Sequence, residues 1–355
     1  FATGTSCLAY VWVIGRRRVP EPPERIKPLI SVMNGQEYPS MDLTTPTVYV
    51  PTLNGGENLA ACLEALSVQS VEIEVVVADN GPGEGCSELL KSSFPSVTRV
   101  SFGGHNLGFG TALNRAVTTE GQGPIIFLND DAVPDSAFVE NLLVGWNEGE
   151  TAMVAGVLLK SSSPTVVDSA GIRCDRTLTA WDHLTGEPAT RLEVASDPLG
   201  PTGGAALFDR VAFETIGGFD ERIFLYYEDL DLALRMRMAG YSCRLARAAR
   251  ATHESSATLG RRAAAKYRRT GFSRGYLLRK YGIMAHPGLA IMTLISDGSA
   301  SLAQLLHDRT AAGLNGRIEG WQAGRDIVPI DPPFELLEPP SLRRHMRVRL
   351  NRRRY

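Results

Sequence analysis

Two adjacent carboxylates end an apolar segment in the first half of the chain. Residues 125–128 have the composition of a buried strand, and Asn129, Asp130 and Asp131 follow them directly. Asn and Asp favour turns and cap helices, so a structural role accounts for the group. Carboxylates at the carboxyl edge of a sheet also suit Mg²⁺ or Mn²⁺, because both ions prefer oxygen ligands. The stretch by itself leaves both interpretations open.

A second acidic pair opens the helical segment "YYEDLDLALRMRMAG". Acids in a first helical turn are favoured by the helix dipole, which explains Glu228 and Asp229 as capping residues. The aromatic residues directly before them suggest another role. A carboxylate beside an apolar cluster has a raised pKa, which suits a general base. Here too the residues alone do not decide.

Two further features carry possible chemistry. His253 follows the alternating, strand-like piece "RLARAARAT". A single histidine is usually structural or exposed, but carboxylates with one imidazole suit Mg²⁺ or Mn²⁺ better than zinc. Gly203 and Gly204 precede an apolar run, where they permit either a tight turn or a close approach to a ligand.

From Thr47 onwards, apolar strand patterns alternate with helical ones. The segments "TVYVPTLN", "VEIEVVVADNGP", "VTRVSFGG" and "PIIFLNDD" each read as a strand with a polar end, separated by helical spacing. This alternation predicts an α/β fold with a Rossmann-like, mostly parallel sheet flanked by helices. In such sheets ligands bind outside the carboxyl ends of the strands, so four polar strand ends indicate a polar ligand.

The composition of the chain argues against several classes of function. A net charge of −2 over 355 residues argues against a protein that coats nucleic acid. The five cysteines are scattered without a CxxC pair, which argues against a disulfide framework or a zinc site and favours the cytoplasm. We find no run of the ~18–20 apolar residues that a membrane span requires. The stretch "IMAHPGLAIMTLI" is interrupted by His286 and Pro287, and we expect a buried or interfacial helix there.

Three regions are predicted along the chain. Residues 1–45 include the Pro-rich, charged "VPEPPERIKP" and form a leader that should not pack. Residues 46–282 form the functional domain. Residues 283–355 form a helical C-terminal extension that ends in a basic tail.

The ordered motifs resemble those of family 2 glycosyltransferases of GT-A fold, in a bacterial rhamnosyltransferase-like branch. The resemblance runs from about Thr47 to Tyr281 through "VPTLNGGENLAACLEAL", "VVVADNG", "NLGFGTALNRA", "FLNDDAVPD", "GGFDERIFLYYEDLDLALR" and "THESSATLG". It implies an inverting enzyme that transfers a sugar from a nucleoside-diphosphate donor. It suggests rhamnose only through the likeness to that branch.

The resemblance also implies roles for individual residues. Asp229 would be the general base, with Glu228 beside it. Asp131 and His253 would bind Mg²⁺ or Mn²⁺ at the donor diphosphate. Many relatives have Pro where this chain has Asp130, so the role of Asp130 is the least defined. The residues expected to bind or border the nucleotide-sugar are Pro51, Thr52, Asn54, Asp79, Asn106, Gly110, Asn129, Asp130, Gly203 and Gly204.

The acceptor implied by the family is a hydroxyl of a cell-surface glycan or of a lipid-linked sugar. The basic stretch "KYRRTGFSRGYLLRKYG" is either a solvated helix face or a contact with an anionic lipid-linked acceptor at the inner face of the plasma membrane. Two alternatives are a sugar-nucleotide nucleotidyltransferase and a non-catalytic carbohydrate-binding protein. The first would need a Lys in its Gly-rich loop, which "PTLNGGENLAA" lacks. The second should have lost some of the carboxylates.

Overall fold

A computed structural model describes residues 30–33, 36–39, 45–146, 151–254 and 263–345. The strands are β1 (Ile30–Met33), β2 (Gln36–Pro39), β3 (Thr47–Thr52), β4 (Glu74–Asp79), β5 (Thr98–Ser101), β6 (Ile125–Leu128), β7 (Ala132–Pro134), β8 (Thr151–Lys160), β9 (Ser163–Ser169), β10 (Ile172–Cys174), β11 (Ala180–Asp182), β12 (Ala205–Phe208) and β13 (Ser242–His253).

The α-helices are α1 (Glu57–Leu66), α2 (Gly85–Ser93), α3 (Phe109–Thr119), α4 (Phe138–Gly145), α5 (Arg210–Ile216), α6 (Glu228–Met238), α7 (Ala263–Lys280), α8 (Pro287–His307) and α9 (Ala312–Ala323). The short pair β1 and β2 is antiparallel and falls within the predicted leader. The rest of that leader up to residue 44, and the basic tail after His345, lie outside the described residues.

The central sheet has the strand order β5-β4-β3-β6-β12-β8-β13-β7, with β9 added to β8. The first four strands are parallel, as the alternating sequence pattern predicts. Beyond β6 the sheet is mixed, because β12 runs antiparallel to both of its neighbours. This reversal brings the amino end of β12 to the carboxyl edge of β6, where Ala205 pairs with Leu128.

Alternating strand residues form a core on each face of the sheet. Tyr49 and Val76 pack with α3 and α5 on one face, whereas Val48 and Val77 pack with α1 and α2 on the other. A sheet covered on both faces has near-continuous apolar strands, which is the composition of β3, β4 and β6. The polar residues that follow these strands are therefore displaced to the sheet edge.

The C-terminal helices pack against the domain and against each other. Helices α7 and α9 approach so closely that a Cβ on Gly275 would lie 2.0 Å from the Arg317 carbonyl oxygen. On α9, a Cβ on Gly320 would lie 1.8 Å from the carbonyl oxygen of Phe272. Small residues at a helix crossing permit this close approach of the two backbones. Helices on both sides of the predicted boundary at residue 282 thus form one packed unit.

Several basic residues of α7 serve this packing. Lys280 Nζ lies 2.7 Å from both Asp220 Oδ2 and Asp231 Oδ1, and Arg274 Nε lies 3.1 Å from Asp297 Oδ2. Both basic side chains are largely buried. Part of the basic stretch is therefore structural and is neither a solvated face nor a lipid contact.

Helix α8 corrects one expectation from the sequence. It is long and apolar enough to cross a membrane by length and composition, whereas we expected no such segment. The helix extends the short apolar run past Asp297 and through mostly small residues to Leu305 and Leu306, which an uninterrupted-run criterion does not detect. Only 17% of its apolar window is buried inside the protein.

Candidate functional site

The turn after β6 and the end of β13 bring an acid and an imidazole together. Pairing of β7 with β13 sets His253 opposite Ala132, and the Glu254 amide donates to the Asp131 carbonyl oxygen at 3.0 Å. Across this register, His253 Nε2 lies 3.1 Å from Asp131 Oδ1. The two residues that the sequence predicts as metal ligands are thus adjacent.

The sequence analysis did not identify the third member of this group. Asp168, near the end of β9, places its Oδ2 2.7 Å from His253 Nδ1. Burial alone would lower the pKa of His253, but hydrogen bonds to Asp131 and Asp168 raise that pKa to about 10. The two carboxylates therefore favour a positive charge on the His253 ring, which lies between them.

This donor set fits a divalent ion of the Mg²⁺ or Mn²⁺ type. No group of three or more His, Cys, Asp or Glu side chains converges as a complete metal cage in the part of the chain that is described. Magnesium-like ions commonly use one or two carboxylates and take their other ligands from water and substrate phosphates. Asp131 and His253, which are largely buried at the edge of the sheet, would supply such a partial set of ligands.

Asp130 joins two strand ends. Thr52 Oγ1 at the end of β3 donates to Asp130 Oδ2 at 2.6 Å, and the Gly55 amide donates to Thr52 Oγ1 at 3.1 Å. Burial is the main reason that the pKa of Asp130 rises to about 6, and the Thr52 hydrogen bond opposes the rise. The link fixes the turn after β3 against the turn after β6.

Asp79, predicted to contact the nucleotide base, is buried at the end of β4. Arg99 on β5 donates to its Oδ2 from Nε at 2.9 Å and from Nη2 at 2.6 Å. Its Oδ1 lies 3.4 Å from the Gly81 amide nitrogen. Nearby, Pro51 is half-buried in β3 and Asn54 is exposed in the following turn. Their contacts with a nucleotide stay predictions, and Arg99 is an addition to this group.

Two asparagines shape the loop before α3. Asn80 Nδ2 donates to Asn106 Oδ1 at 3.1 Å and to the Gly108 carbonyl oxygen at 3.0 Å, while its Oδ1 accepts from the Leu107 amide. Asn106 Oδ1 also accepts from the Gly108 amide at 2.9 Å. Gly110 is buried, and a Cβ there would lie 2.7 Å from Phe219 Cβ. Gly110 thus allows close packing, and its contact with a nucleotide stays a prediction.

Gly203 and Gly204 lie between the two acidic groups. The Gly203 amide nitrogen is 3.4 Å from Asp229 Oδ2, and the Gly204 carbonyl oxygen accepts from the Asn129 amide at 3.2 Å. A Cβ on Gly204 would lie 2.8 Å from Asn129 Nδ2. One dipeptide therefore contacts the turn that carries Asp131 on one side and Asp229 on the other.

The acidic pair begins α6 in a strained backbone segment. Tyr226 and Tyr227 both adopt left-handed conformations, with φ of 70° and 71°. Non-glycine residues hold such conformations only when their surroundings enforce them. The Phe109 amide donates to the Phe224 carbonyl oxygen at 3.0 Å, and Ser273 Oγ donates to the Leu225 carbonyl oxygen at 3.2 Å. Helices α3 and α7 thus hold the segment that presents the acids.

The two acids differ in exposure. Glu228 is buried, and its Oε2 has no hydrogen-bond partner among the described residues. Asp229 is partly exposed, with Oδ1 accepting from the Leu230 amide at 2.8 Å. Burial and then the charge of Asp182 raise the pKa of Asp229, while burial and then the charge of Asp229 raise the pKa of Glu228. Asp182, at the end of β11, is a carboxylate that the sequence analysis missed.

The third acid of this segment is structural. Asp231 is fully buried, with Oδ2 2.7 Å from Arg235 Nε and Oδ1 2.7 Å from Lys280 Nζ. Both of its oxygens are engaged by basic side chains. Of the acids at the start of α6, Asp229 is therefore the one that is both accessible and directed at the Gly203 amide.

Comparison with known proteins adds the following findings. The family described as "Glycosyl transferase family 2" matches residues 47–217. Two curated relatives from Mycobacterium tuberculosis, strains CDC 1551 / Oshkosh and H37Rv, are each 30% identical over 240 residues. The match covers 61% of this chain and 78% of each relative. Both carry the name N-acetylglucosaminyl-diphospho-decaprenol L-rhamnosyltransferase.

Among solved structures, the crystal structure of GalNAc-T7 with UDP, GalNAc and Mn²⁺ has a TM-score of 0.56 at 12% identity. The alignment covers 85% of this chain, and the chain spans 57% of the length of that protein. A mannosyltransferase from Pyrobaculum calidifontis in complex with GDP-Man and Mn²⁺ has a TM-score of 0.48 at 18% identity. This second alignment covers 80% of this chain and 85% of the other.

Proposed function

Because the chain belongs to glycosyltransferase family 2 and has a GT-A fold, we propose that it is an inverting sugar transferase with Asp229 as its general base. The donor is a nucleoside-diphosphate-sugar, and the acceptor is a hydroxyl of a lipid-linked or cell-surface glycan. That the chain is a glycosyltransferase follows from its family. The residue roles and substrates below are the proposal.

The observation that carries the proposal is the position of Gly203 and Gly204. They contact Asn129, two residues before Asp131, on one side and Asp229 on the other. A displacement needs charge neutralisation at the leaving group and a base at the attacking hydroxyl. Two acidic groups separated by a glycine dipeptide supply these functions on opposite sides of the position that a sugar would occupy.

Asp229 performs the proton transfer in this scheme. Its carboxylate takes the proton of the acceptor hydroxyl as that oxygen bonds to the anomeric carbon of the donor sugar. The bond between the anomeric carbon and the diphosphate oxygen breaks in the same step, and the electron pair leaves with the diphosphate. One displacement inverts the configuration of that carbon. The raised pKa makes Asp229 a better proton acceptor than an ordinary carboxylate.

The donor diphosphate would be held at the other acidic group. Asp131 and His253 would bind the divalent ion, which supplies Lewis-acid neutralisation of the charge on the leaving diphosphate. The Asn129 side chain lies beside them, with Nδ2 3.5 Å from His253 Nε2. Asp130 acts indirectly, because its hydrogen bond to Thr52 fixes the turn that would face the nucleotide.

The relatives suggest the finer substrate classes. Their name combines an L-rhamnosyl donor group with an N-acetylglucosaminyl-diphospho-decaprenol acceptor. We therefore extend the proposal to a deoxyhexose donated by a nucleoside diphosphate and to an acceptor sugar on a polyprenyl diphosphate. Such an acceptor would place the enzyme at the cytoplasmic face of a membrane.

The test is a donor panel of dTDP-, UDP- and GDP-sugars with and without Mn²⁺, scored by release of nucleoside diphosphate and by donor affinity. We expect metal-dependent turnover with one nucleotide class. Release of pyrophosphate from a nucleoside triphosphate and a sugar phosphate would instead identify a nucleotidyltransferase. Glycan binding with no donor binding or turnover would identify a carbohydrate-binding protein.

Two variants distinguish the roles of the two acidic groups. Asp229→Asn should retain donor affinity and lose about 10²- to 10⁴-fold in transfer, the usual contribution of a general base. Asp131→Ala should weaken Mn²⁺-dependent donor binding itself. Near-normal transfer by Asp229→Asn would refute the base assignment, and unchanged metal dependence in Asp131→Ala would refute the metal site.

A further inference from the structure

Helix α8 exposes most of its large apolar side chains and buries several of its polar ones. Thr293, Ser296 and Asp297 are buried against the protein. The outward side chains recur at helical spacing and are between 53% and 68% exposed: Ile291, Leu294, Ile295, Leu302, Leu305 and Leu306. A surface helix in water has the opposite arrangement. A contiguous exposed apolar face of this kind marks a surface that contacts another apolar phase.

The inward side of α8 is anchored by ion pairs. Asp297 Oδ2 lies 3.1 Å from Arg274 Nε and 3.5 Å from Arg317 Nε. Arg317 also donates from Nη1 to Ser301 Oγ at 3.3 Å. Removing Asp297 from this position would leave the buried Arg274 cation without its partner, which is strongly unfavourable. The helix is therefore held along the protein surface and cannot rotate to bury its leucines.

Helix α9 extends the apolar surface. Leu314, Ile318 and Trp321 recur at helical spacing and are 45%, 50% and 36% exposed. The guanidinium of Arg279 lies 5.2 Å from the Trp321 ring centroid. Tryptophan is enriched where proteins meet the membrane–water boundary, because its ring is apolar and its N–H is polar. The tight glycine packing of α9 on α7 is also common between helices in membranes.

Positive charge lies at one end of this surface. The Tyr267 hydroxyl donates to Asp308 at 3.0 Å, which places the start of α7 beside the end of α8. Lys266 and Arg269 lie there on α7 and the exposed Arg309 follows α8, whereas the charge of Arg268 is offset by Glu319 at 2.9 Å. The sequence after His345, which lies outside the described residues, adds five arginines and no acid. Anionic lipid headgroups attract basic groups next to an apolar surface.

We infer that the outward face of α8 lies in the boundary between headgroups and acyl chains of an anionic lipid bilayer, parallel to the membrane plane. At ~1.5 Å per residue, its 21 residues give a contact about 30 Å long. Helices of this kind bind through buried apolar area together with attraction to anionic lipid. The inference goes beyond the proposed function, because it requires no particular sugar, nucleotide or acceptor.

The test is co-sedimentation of the full chain with vesicles of phosphatidylcholine, with and without phosphatidylglycerol. The variant Leu294→Gln/Leu302→Gln/Leu305→Gln replaces three outward side chains. A matched control is Val68→Gln/Val194→Gln/Val211→Gln, since these valines are 64%, 76% and 64% exposed elsewhere on the protein. We expect anionic vesicles to bind the wild type and the control, and to bind the α8 variant roughly tenfold or more weakly.

A second measurement reports insertion directly. In a protein whose four native tryptophans, including Trp321 on this surface, are replaced by phenylalanine, the fluorescence of Leu302→Trp should be quenched by brominated acyl chains, whereas that of Val194→Trp should not. Equal vesicle binding by the wild type and the α8 variant would overturn the inference. A second result would also overturn it: light scattering that shows a dimer for the wild type and a monomer for the α8 variant. A second copy of the chain would then cover the apolar face. Donor turnover in vesicle-free buffer is scored separately, so failure here is distinguishable from failure of the proposed transferase reaction.

Discussion

The Oδ2 of Asp168 lies 2.7 Å from Nδ1 of His253, while His253 Nε2 faces Asp131 at 3.1 Å. A carboxylate on the second ring nitrogen of a metal-binding histidine fixes its tautomer and orientation, and loss of such a partner typically costs 10- to 100-fold in metal affinity. We expect Asp168→Asn to weaken Mn²⁺ binding by about that factor. Electron paramagnetic resonance or calorimetry with Mn²⁺ alone measures this without turnover.

The control for this prediction is Asp135→Asn, which makes the same chemical change at an exposed acid near the site. It should bind Mn²⁺ as the wild type does. If Asp168→Asn and Asp168→Ala both kept wild-type Mn²⁺ affinity, Asp168 would have no role in positioning His253.

Asp182 should control the pH dependence of transfer. Asp229 must be deprotonated to act as a base, and burial followed by the charge of Asp182 raises the pKa of Asp229. The acidic limb of the kcat/KM profile should therefore lie above the ordinary carboxylate value of about 4. Asp182→Asn removes a negative charge, so it should move that limb to lower pH. A limb that does not move would show that Asp182 does not act on the base.

Glu228 should reduce stability at neutral pH. Burial and the charge of Asp229 raise the pKa of Glu228, so the folded protein holds a proton that the unfolded chain has released. Folding stability then decreases as pH rises from the unfolded pKa through the folded one. We expect Glu228→Gln to unfold at a higher temperature than the wild type at pH 8. The unfolding temperature should rise by about 2–4 °C for each kcal/mol of added stability. The two proteins should converge at pH 4.

Thermal unfolding from pH 4 to pH 8 checks this prediction. Glu64→Gln, at an exposed position of α1, is the control and should leave the unfolding temperature unchanged throughout. A Glu228→Gln protein that is less stable than the wild type at pH 8 would contradict the argument.

Gly108 should be intolerant of any side chain. Its φ is +87°, and a Cβ would lie 2.4 Å from the Phe224 carbonyl oxygen. Gly240 has a φ of +90°, and a Cβ there would have no described heavy atom within 4 Å. Both Gly→Ala changes carry left-handed strain of about 1–2 kcal/mol, but only Gly108→Ala adds a clash. Denaturant unfolding should show a clearly larger loss for Gly108→Ala, together with reduced transfer. Equal losses would indicate that the contact with Phe224 is unimportant.

The sequence predicts the strand ends well because each depends on a local pattern. Buried strands followed by polar residues are visible in "VVVADN" and "FLNDD", and the parallel arrangement follows from the alternation with helices. The partners of these residues are not visible in the same way. Asp168, Asp182 and Arg99 come from short or exposed strands with weak patterns, and tertiary pairing alone brings them to Asp131, Asp229 and Asp79.

The sequence pattern also does not show which charged residues are buried. The stretch "KYRRTGFSRGYLLRKYG" contains basic residues that look alike in sequence. Arg274 and Lys280 are buried with acids from α8, from α6 and from the loop before it, whereas Arg268 is exposed and pairs with Glu319. Only the packing of α7 against its neighbours distinguishes them.

A backbone link joins the first residue of α3 to the segment that precedes Glu228 and Asp229. It is a hydrogen bond between two peptide groups, from the Phe109 amide to the Phe224 carbonyl oxygen. Both partners belong to the main chain, so replacing either side chain leaves donor and acceptor in place, and alanine scanning would not detect the link. Proline at position 109 is the exception, since it lacks the N–H. Related chains can therefore diverge at both positions and still keep the start of α3 attached to the segment that precedes Glu228 and Asp229.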